Sequence, residues 1–231
     1  MKSDKRNSRI DSVIFDFDGV INDSATIERA GNRIIEIVRK NNIFVPDNIL
    51  EIFRKHWGIR GTDLLVISFN ISKERAEEIY RQWEKEDVQN PYPLIEKSEE
   101  VLNRLKKGYL LSILTNRNRE NVMAVINYYN IKRFFWTIQT LQDCPFVKPD
   151  PRALDFILAE LRKFGLLPEN HLFIGDTPKD WECASGRNVE FIAVTTGMFK
   201  EKDFLKLGLD KSHVLKSIAD LPKWLKKHGR A

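Results

Sequence analysis

The chain has 231 residues, of which 42% are hydrophobic and 31% charged, a size and balance that suit one folded core plus a small accessory unit and exclude a disordered polymer. It holds no run of about 18 apolar residues, which excludes a membrane-spanning helix, and residues 1–9 lack the apolar stretch of a secretory signal, so a cytoplasmic location is expected. The net charge is +5, but residues 1–9 carry +3 and residues 223–231 carry +4, which places the excess basicity in two solvated ends and argues against a nucleic-acid groove within the fold.

In chain order, the first short apolar run is residues 12–15 (SVIF), rich in β-formers and short enough for a strand buried on both faces. Residues 22–95 show no such run. They carry helical stripes instead, Ile27, Ala30, Ile34, Ile35 and Val38, then Ala76, Ile79, Tyr80 and Trp83, and end at the turn-rich Asn90-Pro91-Tyr92-Pro93. Val101, Leu102 and Leu105 form another stripe that stops at Gly108. A second strand is predicted over residues 110–114. After Asp150-Pro151, an N-cap followed by proline in the first turn, Ala153, Leu154, Ile157, Leu158 and Leu161 predict a helix. Strands over residues 171–174 and 189–194 complete an alternation of strand and helix that predicts an α/β fold with a parallel sheet. The helical stretch is expected to be an insertion that covers the sheet's edge. Cys144 and Cys183 show neither CxxC spacing nor paired histidines and are read as reduced thiols.

The first strand leads straight into Asp16-Phe17-Asp18-Gly19-Val20. In a parallel sheet, loops at the carboxyl ends of strands form the ligand crevice. The second strand ends at Thr115-Asn116 and the third at Gly175-Asp176, and Lys148-Pro149 precedes a helix start. Asp16, Asp18, Asp176 and Asp180 would then lie together at one edge. Clustered carboxylates raise each other's pKa unless a cation neutralises them. All are hard oxygen donors, and no His or Cys cluster competes, which points to magnesium rather than zinc. Taken singly, each piece has an ordinary reading: a solvated Asp pair, a strand end, a surface lysine, helix-capping aspartates. The ordered set favours a metal-dependent phosphoryl-transfer site.

DFDGV, LTN, VKPDP and GDTPKD, in this order, resemble the four motifs of the haloacid dehalogenase superfamily, most closely its phosphoglycolate phosphatase-like and β-phosphoglucomutase-like members with a helical C1-type cap. The resemblance implies a Rossmann-like α/β core over residues 9–22 and 96–231, with a helical cap over residues 23–95. It implies an aspartyl-phosphate on Asp16, with Asp18 as general acid and then base. Thr115 and the Asn116 backbone would hold the phosphoryl oxygens, and Lys148 would offset negative charge. Mg²⁺ would be bound by Asp16, the Asp18 carbonyl and Asp176, with Asp180 supporting it directly or through water.

The second aspartate, Asp18, separates phosphatases and mutases of the family from dehalogenases. The mutase-like relatives carry a histidine twelve residues after the nucleophile, where this chain has Glu28. Trp57-Gly58-Ile59-Arg60-Gly61 looks like the specificity loop of related caps, with Arg60 as a substrate-binding residue. The expected activity is a phosphatase acting on a small phosphorylated metabolite, phosphoglycolate-like or a sugar phosphate. The alternatives are a phosphomutase, a phosphatase acting on nucleic-acid ends, and a non-catalytic binding or regulatory protein on the same fold. Relatives end the fourth-motif helix with Ala-Gly; here Ser185-Gly186-Arg187-Asn188 stands there, with Asn188 able to take a left-handed cap.

Overall fold

Apolar runs too short for helices build the sheet. In a computed structural model describing residues 9–24, 26–57 and 59–228, the strands are β1 (Ser12–Phe15), β2 (Leu110–Leu114), β3 (Thr137–Gln139), β4 (His171–Gly175), β5 (Glu190–Val194) and β6 (Val214–Leu215). They form one sheet in the order β3-β2-β1-β4-β5-β6, and every pairing is parallel. The four strands expected from sequence are present, with β4 one residue longer and β5 one shorter than predicted. β3 and β6 were not expected: at three and two residues, neither is long enough to show a periodicity.

Alternation along the strands sorts side chains onto two faces. Val13, Phe15, Leu111, Ile113, Leu172, Ile174, Ile192 and Val194 share one hydrophobic cluster with α5 (Ser98–Leu105), α6 (Arg119–Tyr128) and α10 (Leu221–Lys227). Ile14, Phe173, Phe191 and Ala193 face the other way, against α7 (Asp155–Arg162), α8 (Pro178–Ser185) and α9 (Glu201–Lys206). Helices on both faces bury β1 and β4 throughout and all but the first residue of β2 and β5, which is why these four read as largely apolar runs.

Between β1 and β2 the chain forms α1 (Asn32–Lys40), α2 (Ile49–His56), α3 (Gly61–Phe69) and α4 (Lys73–Gln89). Their inward stripes make a third cluster around Phe53, Ile37, Leu65 and Ile79. The Phe53 ring is fully buried and lies 5.8 Å from Trp57 and 6.0 Å from Phe69. Gly61 opens α3 because a Cβ there would lie 2.1 Å from the Tyr80 ring. The two connections to this helical layer run side by side: Asn22 bridges Leu94 antiparallel, Asp23 N–H donates to the Pro93 carbonyl (2.8 Å) and Ile95 N–H to that of Ile21 (2.9 Å).

Smaller expectations also resolve. Asp150 caps a 3₁₀ turn, Pro151–Leu154, that runs into α7, and Asn188 is left-handed at φ 57°. The helix of the fourth motif spans Pro178–Ser185. Both cysteines are free thiols. The basic C-terminal segment is not a solvated tail as far as Lys227. Leu221, Trp224 and Leu225 of α10 are buried, and Lys223, Lys226 and Lys227 point outward from a packed helix. The basic residues before Arg9, together with Arg230 and Gly58, lie outside the described residues.

Phe53→Ala would leave a void at the centre of the third cluster. We expect it to destabilise the chain by about 3–5 kcal/mol, read as a lower urea midpoint.

Candidate active site

The sheet register sets the site. Phe15 pairs with Ile113 on one side and Ile174 on the other. Asp16, Thr115 and Asp176 therefore leave the sheet within one residue of a common level. All three are buried, as are Lys148 and Asp180.

Asp16 Oδ1 accepts the Phe17 backbone N–H at 2.7 Å and pairs with Lys148 Nζ at 2.7 Å, which leaves Oδ2 without a hydrogen-bond partner among the described residues. Burial raises the Asp16 carboxyl to about 7, although Lys148 pulls in the opposite direction. Lys148 Nζ also binds Asp180 Oδ1 at 2.6 Å. Burial alone would favour a neutral amine, but Asp16 and Asp180 reverse that and raise its pKa. The backbone of Lys148 is held on both sides by one amide: its N–H donates to Asn116 Oδ1 (3.0 Å) and its carbonyl accepts from Asn116 Nδ2 (2.9 Å). The Asn116 side chain thus positions the lysine. Thr115 Oγ1 accepts the Arg117 N–H at 3.2 Å.

Asp180 is the third residue of a capping box at the start of α8. Its Oδ2 accepts the Thr177 N–H (3.0 Å) and hydroxyl (2.7 Å). With Oδ1 on Lys148, both its oxygens already have donors. Asp176 is the opposite case. Both its carboxylate oxygens are buried without a hydrogen-bond partner among the described residues, and burial, with Asp16 and Asp180 beside it, raises its pKa well above the ordinary value. The loop after β5 closes over it so tightly that a Cβ on Gly197 would come within 1.8 Å of Asp176 Oδ2. Asp16, Asp176 and Asp180 each offer an oxygen, all within 4.8 Å of one another. An orphaned carboxylate within a set of hard oxygen donors fits a divalent cation.

Asp18 stands apart from this cluster, with its side chain about a quarter exposed. Its Oδ1 accepts from the Ser24 hydroxyl and from Arg117 Nη1 at 3.0 Å. Arg117, buried, also binds Asp87 of α4 through Nη2. Asp87 is fully buried and meets Arg33 Nη1 at 3.5 Å, and the Arg33 guanidinium lies over the Tyr92 ring at 3.9 Å. Burial works against the Arg117 charge, but Asp18 and Asp87 outweigh it and raise its pKa. A line of alternating charges thus joins Asp18 to the helical layer. Sequence reasoning missed Arg117, Asp87, Ser24 and Gly197. One signal was present: Ala76, Ile79 and Trp83 mark the buried stripe of α4, and the next position on it is Asp87.

The helical layer roofs the site over a cavity of about 120 Å³ that reaches down to Asp16, Asp18, Thr115, Lys148 and Asp176. Trp57, Ile59 and Gly61 line it, whereas Arg60 at the N-cap of α3 is exposed and is not among the lining residues. Lys179 Nζ donates to the Trp57 carbonyl at 2.7 Å, tying this loop to α8.

A parallel sheet wound on both faces by helices, with an acidic crevice at its carboxyl edge under a helical roof, defines an α/β protein with a Rossmann-like core. The chain belongs to the haloacid dehalogenase-like hydrolase family, whose model matches residues 13–194. It is 32% identical over 106 residues to a phosphoglycolate phosphatase of Pasteurella multocida, covering 46% of this chain and 45% of that one. It is 28% identical over 156 residues to the pyrophosphatase PpaX of Halalkalibacterium halodurans, covering 65% and 70%. The matches to the phosphoglycolate phosphatases of Pasteurella and Haemophilus span about half of their length. Among solved structures, a haloacid dehalogenase-like family hydrolase of Streptococcus pneumoniae superposes with a TM-score of 0.74 at 22% identity, over 94% of this chain and 98% of that one, a likeness of fold.

Two outcomes follow from the geometry. Asp16 loses its proton near 3.8 when unfolded but holds it to about 7 in the fold. Between those values the folded state binds the extra proton, so stability falls as pH rises through the window. With chelator present, urea midpoints from about pH 4 to about pH 7 should decline more steeply for the wild type than for Asp16→Asn; equal slopes would exclude Asp16 as the source. Asp87→Ala strips Arg117 of one buried partner while Asp18 remains, and should cost about 3 kcal/mol of stability, measured the same way.

Proposed function

We propose that the chain is a magnesium-dependent phosphatase that hydrolyses small phosphate monoesters through an aspartyl-phosphate on Asp16, with residues 23–95 acting as a cap over the residues 9–22 and 96–231 that carry the chemistry. The observation that carries this reading is the asymmetry of Asp16: Oδ1 is held by Lys148 and the Phe17 N–H while Oδ2 has no hydrogen-bond partner among the described residues. One oxygen is oriented, which supports the other as the atom that attacks phosphorus.

Asp16 Oδ2 attacks the phosphorus, and the P–O bond to the alcohol breaks as Asp18 gives that oxygen its proton. Asp18 then takes a proton from water, whose oxygen attacks the phosphorus of the aspartyl-phosphate. Inorganic phosphate leaves and the Asp16 carboxylate is restored. The separation of the two aspartates supports this division. Asp16 sits in the charge cluster, while Asp18 is bound by Ser24 and Arg117 at the edge of the cavity. The Thr115 hydroxyl and Lys148 ammonium are placed to hold phosphoryl oxygens. Asp16, Asp176 and the Asp18 carbonyl would hold Mg²⁺, with Asp180 behind them. The ion supplies charge neutralisation that lets a phosphate dianion approach a carboxylate. The roof limits bulk water, which supports small esters over protein substrates. The relatives named phosphoglycolate phosphatase and pyrophosphatase support the reaction class.

The wild type should release phosphate from p-nitrophenyl phosphate with Mg²⁺ and stop when EDTA is added. Asp16→Asn should show no turnover, and robust activity of that variant refutes the nucleophile assignment. Asp18→Asn should lower kcat by about 10²–10⁴-fold, measured under saturating ester.

A further inference from the structure

The wall of the cavity beyond the phosphoryl end indicates which alcohol can leave. Upward from Asp16 and Lys148 the roof is made by Ile34, Ile59, Leu64, Leu65, Ile79 and Trp83. Among the described lining residues, two side chains are cationic, Lys148 and Arg117. Lys148 is divided between Asp16 and Asp180, and Arg117 between Asp18 and Asp87. Neither has charge left for a second anion on the substrate. Arg60, the cation that the sequence offered for that task, is exposed and is not among the lining residues.

A carboxylate in the leaving group would therefore meet no free cation, and a polyol would find few polar partners on a mainly aliphatic and aromatic wall, the Tyr80 hydroxyl and Trp83 Nε1 being neutral exceptions. An unpaired buried charge is costly, and each stranded hydroxyl adds a smaller penalty. An apolar leaving group instead gains by removing its surface, and the cavity's, from water. Tyr80 adds to this character. It lines the same cavity with its ring stacked on Trp83 at 5.5 Å and 24°.

Resting on the phosphatase reading above, we infer that the substrate is a phosphate monoester of an apolar alcohol, with aromatic alcohols accommodated, rather than phosphoglycolate or a sugar phosphate. The phosphate occupies the charged end, and the hydrocarbon lies against Ile34, Leu64, Ile79 and Trp83. Hydrolysis of such an ester leaves the P–O chemistry unchanged; what differs is the surface that orients the ester oxygen towards Asp18.

The test compares alkyl esters, so that leaving-group acidity does not decide the ranking. Benzyl phosphate, glycerol 3-phosphate and 2-phosphoglycolate are assayed with Mg²⁺ against the wild type. We expect kcat/KM for benzyl phosphate to exceed that for 2-phosphoglycolate by about tenfold or more. Ile59, half-buried on the loop before α3, gives a variant that folding can tolerate: Ile59→Arg supplies the missing cation and should narrow or invert that ratio. Independently of that variant, benzylphosphonate should inhibit the wild type at lower concentration than 3-phosphonopropionate. If 2-phosphoglycolate or glycerol 3-phosphate is turned over as well as benzyl phosphate, or the two phosphonates inhibit alike, the apolar assignment is overturned and the phosphatase reading stands. If none of the esters is hydrolysed, both fall together.

Discussion

Three buried carboxylates sharing one buried ammonium is the constraint around which this molecule is arranged. Asp16, Asp176 and Asp180 lie within a few ångströms of one another, and Lys148 reaches two of them. At such separations, in a medium less polarisable than water, like charges repel strongly. The chain holds them together with devices that belong to backbone structure. The parallel register brings Asp16 and Asp176 to one level, a capping box locks Asp180, and one amide grips Lys148 from both sides. What remains is a deficit of positive charge at Asp176, whose two oxygens have no donor among the described residues. A hard divalent cation is the natural complement of that deficit.

The helical layer is bound to this centre through charge as well as through hydrocarbon. Its own core, around Phe53 and Ile79, packs its four helices against one another. Asp87 adds something that a hydrophobic residue would not: it meets a guanidinium whose other arm holds Asp18. Buried ion pairs add little net stability compared with hydrocarbon of the same volume, but they punish misplacement heavily. Here that selectivity acts on the angle at which α4 approaches Asp18, the group proposed for proton transfer. The roof thereby does two separate jobs, shaping the cavity with aliphatic side chains and registering Asp18 with a single aspartate.

Much of this was legible from residues alone, for identifiable reasons. β1, β2, β4 and β5 are covered on both faces, so their sequences are mainly apolar runs, and the polar residues that follow them stand out. β3 and β6 are edge strands of two or three residues and leave no pattern. The stripe of α4 was visible from Ala76 to Trp83, but its continuation to Asp87 looks like solvated charge until Arg117 is found beneath it. Arg117 itself follows Thr115-Asn116 directly, yet nothing local says that it turns towards the helices. Arg60 shows the reverse difficulty: a cation in a loop near the site is indistinguishable in sequence from one that enters it. Gly197 could be understood only once Asp176 was seen against it. Local pattern specifies elements, whereas partners in a charge network are chosen by elements far apart in the chain.

The depth of Arg117 has a bearing on ionic strength. Raising salt from physiological levels to about 1 M shortens the screening length from about 8 Å to about 3 Å. Exposed pairs such as Arg133 with Glu99 and Lys211 with Glu201 weaken under such conditions. Arg117 and Asp87 are far less exposed, with side chains 6% and 0% exposed. The contact that registers the helical roof on Asp18 is therefore screened much less, and in brine the periphery of this protein would loosen before its centre did.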